Sequence, residues 1–132
     1  MLGKLDEVLG FHENSLRLRI QRQQLLASNI ANADTPNYKA RDIDFAKVLQ
    51  DSLKAGAGAA ALAQTNPGHL GVTGARQQPQ AQLRAASQNS MDGNTVDLDV
   101  ERAAFAENAL HYEAGVTLLN AQIKGLMAVL QG

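Results

Sequence analysis

Apolar residues recur at helical spacing at both ends of the chain and lose that spacing in the middle. Steps of three and four from Leu2 reach Leu5, Leu9, His12, Leu16, Ile20, Gln23, Ala27 and Ile30, and seven of these nine positions are apolar. Lys4, Asp6, Glu13, Arg17, Arg22 and Gln24 fall between them. The pattern predicts an amphipathic helix over about 2–33 with a narrow stripe, roughly 45 Å long. Near the other end Phe105, Ala109, Tyr112, Val116, Leu119, Ile123, Leu126 and Leu130 follow an unbroken four-three alternation. Such a repeat holds one seam against a partner helix, so about 98–130 is predicted as a coiled-coil-like helix. Asp97 and Asp99 stand where a helix start wants capping oxygens and negative charge. Gly115 and Gly125 interrupt it. Each costs ~1 kcal/mol against alanine, and each also permits close helix approach.

From about 54 to 95 there is no aromatic residue, and Ala, Gly and Gln dominate. Gly56-Ala57-Gly58, Pro67-Gly68 and Asp92-Gly93 punctuate the stretch. Such a segment buries too little apolar surface to offset the entropy of ordering it. The expected organisation is all-α, with one domain built from both ends. Residues 1–45 form a helix and a turn, 46–95 a flexible linker, and 96–132 a C-terminal helix that pairs with the first.

Composition sharpens this picture. The chain has 132 residues and a hydrophobic fraction of 45%, but only 4% are aromatic and much of the rest is alanine. Alanine buries little area, so a lone monomer should have a thin core and gain stability when neighbours cover its stripes. Net charge is −1, too balanced to draw in nucleic acid or anionic lipid. Absence of cysteine excludes disulfides and thiolate metal sites. Acids at Asp6 and Glu7 interrupt the start, where a secretory signal carries an apolar core. Export, if it occurs, is expected to need no cleaved signal.

Candidate chemistry is sparse. His12, His69 and His111 lack metal-ligand spacing on one helix face, and His12 fits a packing seam better. Asp42 with Asp44, and Asp97 with Asp99, lie at element boundaries, where acids cap helices and solvate turns. With no nucleophile beside them and no glycine-rich phosphate loop, an enzyme is not expected, nor a cofactor or small-molecule substrate. Arg17, Arg19 and Arg22 suggest a basic patch, but Glu13 stands four residues before Arg17 as an ordinary intrahelical ion pair. Asn29, Asn32 and Asn120 are candidates for polar register locks in a seam, or for caps.

The first helix runs into Ser28-Asn29-Ile30-Ala31-Asn32-Ala33-Asp34-Thr35-Pro36-Asn37-Tyr38-Lys39-Ala40-Arg41-Asp42-Ile43-Asp44-Phe45. Pro36 disfavours helix at Thr35, so the helix should stop by Asp34. Pro36-Asn37 suits the centre of a β-turn, with asparagine tolerating the left-handed region. Tyr38, Ile43 and Phe45 are expected to anchor the chain as it folds back.

At these residues the chain resembles the bacterial flagellar axial family of rod, hook and hook-associated proteins. Asn29-Ile30-Ala31-Asn32, Thr35-Pro36 and Tyr38 carry the resemblance, with Asn37 where the family usually has glycine. Within the family the chain is most similar to a proximal rod subunit. That match rests on the stretch from Tyr38 to Phe45, on Asp92-Gly93-Asn94-Thr95-Val96-Asp97, and on the segments at Val100-Glu101-Arg102 and Gln122-Ile123-Lys124. The resemblance implies a torque-transmitting subunit at the base of the periplasmic rod, exported largely unfolded through the flagellar type III channel. Its terminal helices would pack around that channel. Implied partners are other rod subunits, further copies of the chain, the basal-body adaptor, and proteins of the inner-membrane ring and export gate. Two alternatives stand beside it: another proximal rod subunit, and a cytoplasmic helical adaptor or export chaperone. The residues expected to carry assembly are the turn Asn29, Asn32, Thr35, Pro36, Asn37 and Tyr38, and two helix seams. The first seam comprises Leu5, Leu9, Leu16, Ile20 and Ile30, and the second the four-three series from Phe105 to Leu130.

Overall fold

The computed structural model describes residues 2–58, 81–84 and 90–132. Helix α1 spans Leu2–Ala31 and ends in a turn just before Pro36. The chain then folds back through strand β1 (Arg41–Asp42) into helix α2 (Phe45–Gly58). Strand β2 (Gln82–Leu83) pairs antiparallel with β1, setting Arg41 opposite Leu83 and Asp42 opposite Gln82. Helix α3 (Leu98–Gln131) closes the order. Asp97 is its N-cap, and its carboxylate accepts from the backbone N–H groups of Asp99 and Val100.

α1 and α3 pack side by side and antiparallel. Asn29 meets Glu101, Gln23 meets Asn108, and Leu16 meets Gly115. A Cβ on Gly115 would lie 2.9 Å from Leu16 Cδ2, so the glycine sets how closely the helices approach.

Part of the stretch expected to be a structureless linker is ordered. Residues 46–58 belong to α2, and β2 and the loop from Ser90 to Val96 are held by hydrogen bonds. Phe45, Val48, Leu49 and Leu53 repeat at helical spacing, and Asp44 Oδ1 accepts from Lys47 N–H at 3.1 Å as an N-cap. Ile43 and Val48 take the two positions of a hydrophobic staple. The stripe spans about two turns before the alanine- and glycine-rich run that begins at Ala55, and in the sequence it reads as part of that run. The remaining expectations for residues 59–80 and 85–89, among them a packing or solvent position for His69, lie outside the described residues.

The core is thin. Among the described residues the buried apolar side chains are Leu18 and Leu26 on α1 and Ala40 and Ile43 on the returning chain. Among those residues no helix is long and apolar enough to cross a membrane. Because Leu26 is fully buried in so small a core, Leu26→Ala should cost about 2–5 kcal/mol in urea denaturation followed by circular dichroism. Leu118→Ala, on the exposed side of α3, should change stability by no more than ~0.5 kcal/mol.

Candidate functional site

The corner after α1 is built by two loops together. Tyr38 N–H donates to Thr35 O at 3.3 Å across Pro36-Asn37, and Asn37 has φ 61°, the pattern of a type II turn. Asn37 N–H donates to Asp92 O at 2.9 Å, and Thr95 N–H to Tyr38 O at 3.0 Å. Ala40 N–H donates to Thr95 Oγ1 at 2.8 Å, and Lys39 Nζ to Gly93 O. Gly93 has φ 75°, and a Cβ there would lie 2.5 Å from Asn37 Oδ1. The expected turn is present, and its second half comes from the loop that precedes α3.

Beneath the corner lies a connected polar cluster. Asn29 is fully buried; its Nδ2 donates to Arg41 O at 2.7 Å and to Glu101 Oε2 at 3.0 Å. Its Oδ1 accepts from Arg41 N–H at 3.1 Å and from the Tyr38 hydroxyl at 3.2 Å. Arg22 binds Asp42 with both Nε and Nη2, at 2.9 and 3.1 Å. Arg84 joins Asp42 to the buried Glu101, so two guanidinium groups balance two carboxylates. Burial pushes the Asp42 carboxyl up, but hydrogen bonds from Arg22, Arg84 and Ile43 N–H outweigh it and hold the group below the ordinary aspartate range. The bond to Asp42 raises Arg22 above its ordinary value against the opposing effect of burial.

The three arginines of α1 go separate ways, and Arg17 forms the intrahelical pair expected with Glu13. Arg17 pairs with Glu13 at 2.6 Å on the exposed face, Arg22 enters the cluster, and Arg19 lies over the Phe45 ring at 3.6 Å. Burial lowers the Arg19 pKa, with Arg22 adding to the effect. Tyr38 is half-buried against its own α1, where its hydroxyl reaches Asn29 and Ser28. Asn32 Nδ2 donates to Ser28 O at 2.8 Å, and Thr35 Oγ1 donates to Asn32 Oδ1 at 3.1 Å. Pro36 is exposed at the tip.

The structure divides the expected seams. Leu5, Leu9, Leu16 and Ile30 are partly covered, while Ile20 is exposed. On α3, Phe105, Val116, Leu119 and Leu126 are partly covered, whereas Ala109, Tyr112, Ile123 and Leu130 are exposed. The covered line includes Glu101, Asn108, Gly115 and Gln122, each seven residues after the last. Asn108 Nδ2 donates to Arg19 O at 2.8 Å and to Gln23 Oε1 at 2.6 Å. Among the described residues Gln122 Oε1 is buried without a partner. The helix pair therefore sets polar and small residues among the apolar ones of its inner seam and leaves a second apolar line, the flank from Ala109 to Leu130, outside. Ile20, Ala109 and Tyr112, with Arg19, Gln23, Gln24 and Asn108, line a groove of about 360 Å³ on that flank.

Sequence reasoning missed Arg22, Asp42, Arg84, Glu101, Asn108 and Asn94 as site residues. The seven-residue spacing of Glu101, Asn108, Gly115 and Gln122 was the available signal for the inner line of α3.

A family model described as flagella basal body rod protein matches residues 9–39, which cover most of α1 and the corner. Over its whole length the chain is 50% identical to the flagellar basal body rod protein FlgB of Salmonella typhimurium, covering 99% of that protein. It is likewise 50% identical to FlgB of Escherichia coli, with 99% of this chain and 98% of that one aligned. FlgB of Cereibacter sphaeroides is 44% identical over the full chain and 99% of its own length.

Two outcomes test the corner and the cluster. Asn37→Gly should leave thermal stability and motility close to wild type, because the left-handed position favours glycine. Asn37→Val should destabilise by about 1–3 kcal/mol, because a branched residue at this φ is strained. The depressed Asp42 pKa contributes stability in full above the unfolded aspartate pKa and loses it as pH falls through the lower folded value. Asp42→Asn should therefore lower stability at neutral pH and flatten the acid limb of the stability profile below about pH 4.

Proposed function

The chain belongs to the FlgB family of flagellar basal body rod proteins, and from this membership we propose how it builds the rod. It is a structural subunit of the flagellar basal body rod and not an enzyme. In the proposed arrangement the α1–α3 pair is the packing unit and the exposed flank of α3 is its assembly surface. The observation that carries this is the apolar line that the helix pair leaves uncovered. Glu101, Asn108 and Gln122 line the inner seam, while Tyr112, Ile123 and Leu130 remain exposed at 37%, 39% and 86%. A flank of that kind asks for an apolar neighbour, and further rod subunits, including copies of this chain, are the partners that fit. The expected turn residues Asn29, Asn32, Thr35, Pro36, Asn37 and Tyr38 set the direction in which each subunit's chain leaves α1. The finer reading places the subunit at the proximal, periplasmic end of the rod. There it packs around the export channel, beside the adaptor, inner-membrane ring and export-gate proteins. Export as a largely unfolded chain suits a monomer with so thin a core.

Ile123→Asp places a charge on the outer flank, while Leu119→Asp strikes the partly covered line facing α1. Ile123→Asp should keep the helicity of the purified monomer and still abolish rods in isolated basal bodies and swimming in cells. Leu119→Asp should lose helicity as well. Normal swimming with Ile123→Asp would remove the flank from the assembly surface.

A further inference from the structure

Past Ala31 the helical hydrogen bonding of α1 tightens, with Ala33 N–H reaching Ile30 O at 3.2 Å and Thr35 N–H reaching Asn32 O at 3.1 Å. This brings three carbonyl oxygens together, those of Asn32, Ala33 and Thr35, all within 3.0 Å of one nitrogen, Asn94 Nδ2. Asn94 is 4% exposed. Its other side-chain atom, Oδ1, accepts from Val96 N–H at 2.8 Å, and its own N–H donates to Asp92 Oδ1 at 3.1 Å. The carboxamide thus has only one satisfactory orientation, with the amide nitrogen towards the carbonyls. Helices commonly end on a glycine whose left-handed backbone lets local N–H groups satisfy the last carbonyls. Here Asn32 and Ala33 stand in that place, and the donor is the single residue Asn94, which follows its three acceptors by 59 to 62 positions in the chain.

We propose that Asn94 is a positioning residue for the Thr35–Tyr38 corner, a C-terminal cap for α1 delivered from the second loop. The segment matched by the family model, residues 9–39, then cannot complete its own corner. It takes its exit direction only once the loop from Asp92 to Thr95 has returned to α1, which ties the corner to the pairing of α1 with α3. Gly93 belongs to the same device. Its φ of 75° and the approach of Asn37 Oδ1 leave no room for a side chain, so the loop can bring Asn94 against the carbonyls.

Amide hydrogen exchange on the full-length monomer tests it with two substitutions, each compared with wild type at the same pH. Asn94→Ala removes the donor and should lower protection of the Thr35, Asn37 and Tyr38 amides roughly tenfold, with α1 over residues 9–20 unchanged. Asn94→Asp is nearly isosteric but turns an acceptor-only carboxylate towards three carbonyls. At neutral pH it should lose more protection than the alanine variant. As pH falls and the carboxyl gains a proton it becomes a donor, and protection should climb back to or above the alanine level. A space-filling role for Asn94 predicts that aspartate is tolerated at neutral pH, with no recovery in acid. That result would overturn the proposal, as would an alanine variant that keeps corner protection or loses it uniformly along α1.

Discussion

Asn29 is where three parts of the chain have to agree. Its carboxamide is fully buried, and it joins the returning backbone at Arg41, the Tyr38 hydroxyl and the Glu101 carboxylate of α3. Glu101 is itself buried, so its charge depends on Arg84, which also holds Asp42, which in turn is gripped by Arg22 of α1. Removing Arg84 would leave the buried Glu101 charge without its counterion, a loss of the kind that costs about 3–5 kcal/mol for a fully buried pair. A core of a few apolar side chains has little to set against that. The register of α1 on α3, the path of the corner and the seating of β2 are therefore decided together.

The polar line continues along the helix pair. Asn108 ties α3 to Arg19 and Gln23, and Gly115 lets Leu16 approach. Polar groups in a seam fix register while giving up stability. Gln122 illustrates the second half of that exchange, with its buried oxygen unpaired among the described residues. A chain organised this way holds one arrangement of its helices while spending only part of its larger apolar residues, Phe105, Val116, Leu119 and Leu126 on α3, on the pair. Tyr112, Ile123 and Leu130 stay available to neighbours, which suits a rod subunit whose final environment is other protein.

Sequence periodicity located the two long helices and the corner because those features are local. Pro36 stops helix, Asn37 accepts a left-handed φ, and Asp97 caps α3, each by its own covalent chemistry. The periodic stripe of α3 was read as the seam because its members are apolar. The structure keeps Phe105, Val116, Leu119 and Leu126 of it covered but places Asn108 inside beside the exposed Ala109, and Gln122 inside beside Ile123. Hydrophobic periodicity cannot separate a face that packs within the chain from one that packs against another chain, since both are apolar.

By itself, then, the sequence determined an all-α chain with two long helices, a proline corner, a thin core and the flagellar rod family. Each of these follows from residues read singly or over a few turns. Only the tertiary structure decided that Arg84 would bridge Asp42 and Glu101, that Asn94 would reach the carbonyls after α1, and that α3 would turn its polar positions inward. Those contacts join residues far apart in the chain. A lone Arg, Asn or Glu reads as a solvated surface group until folding removes the water around it and leaves one partner within reach.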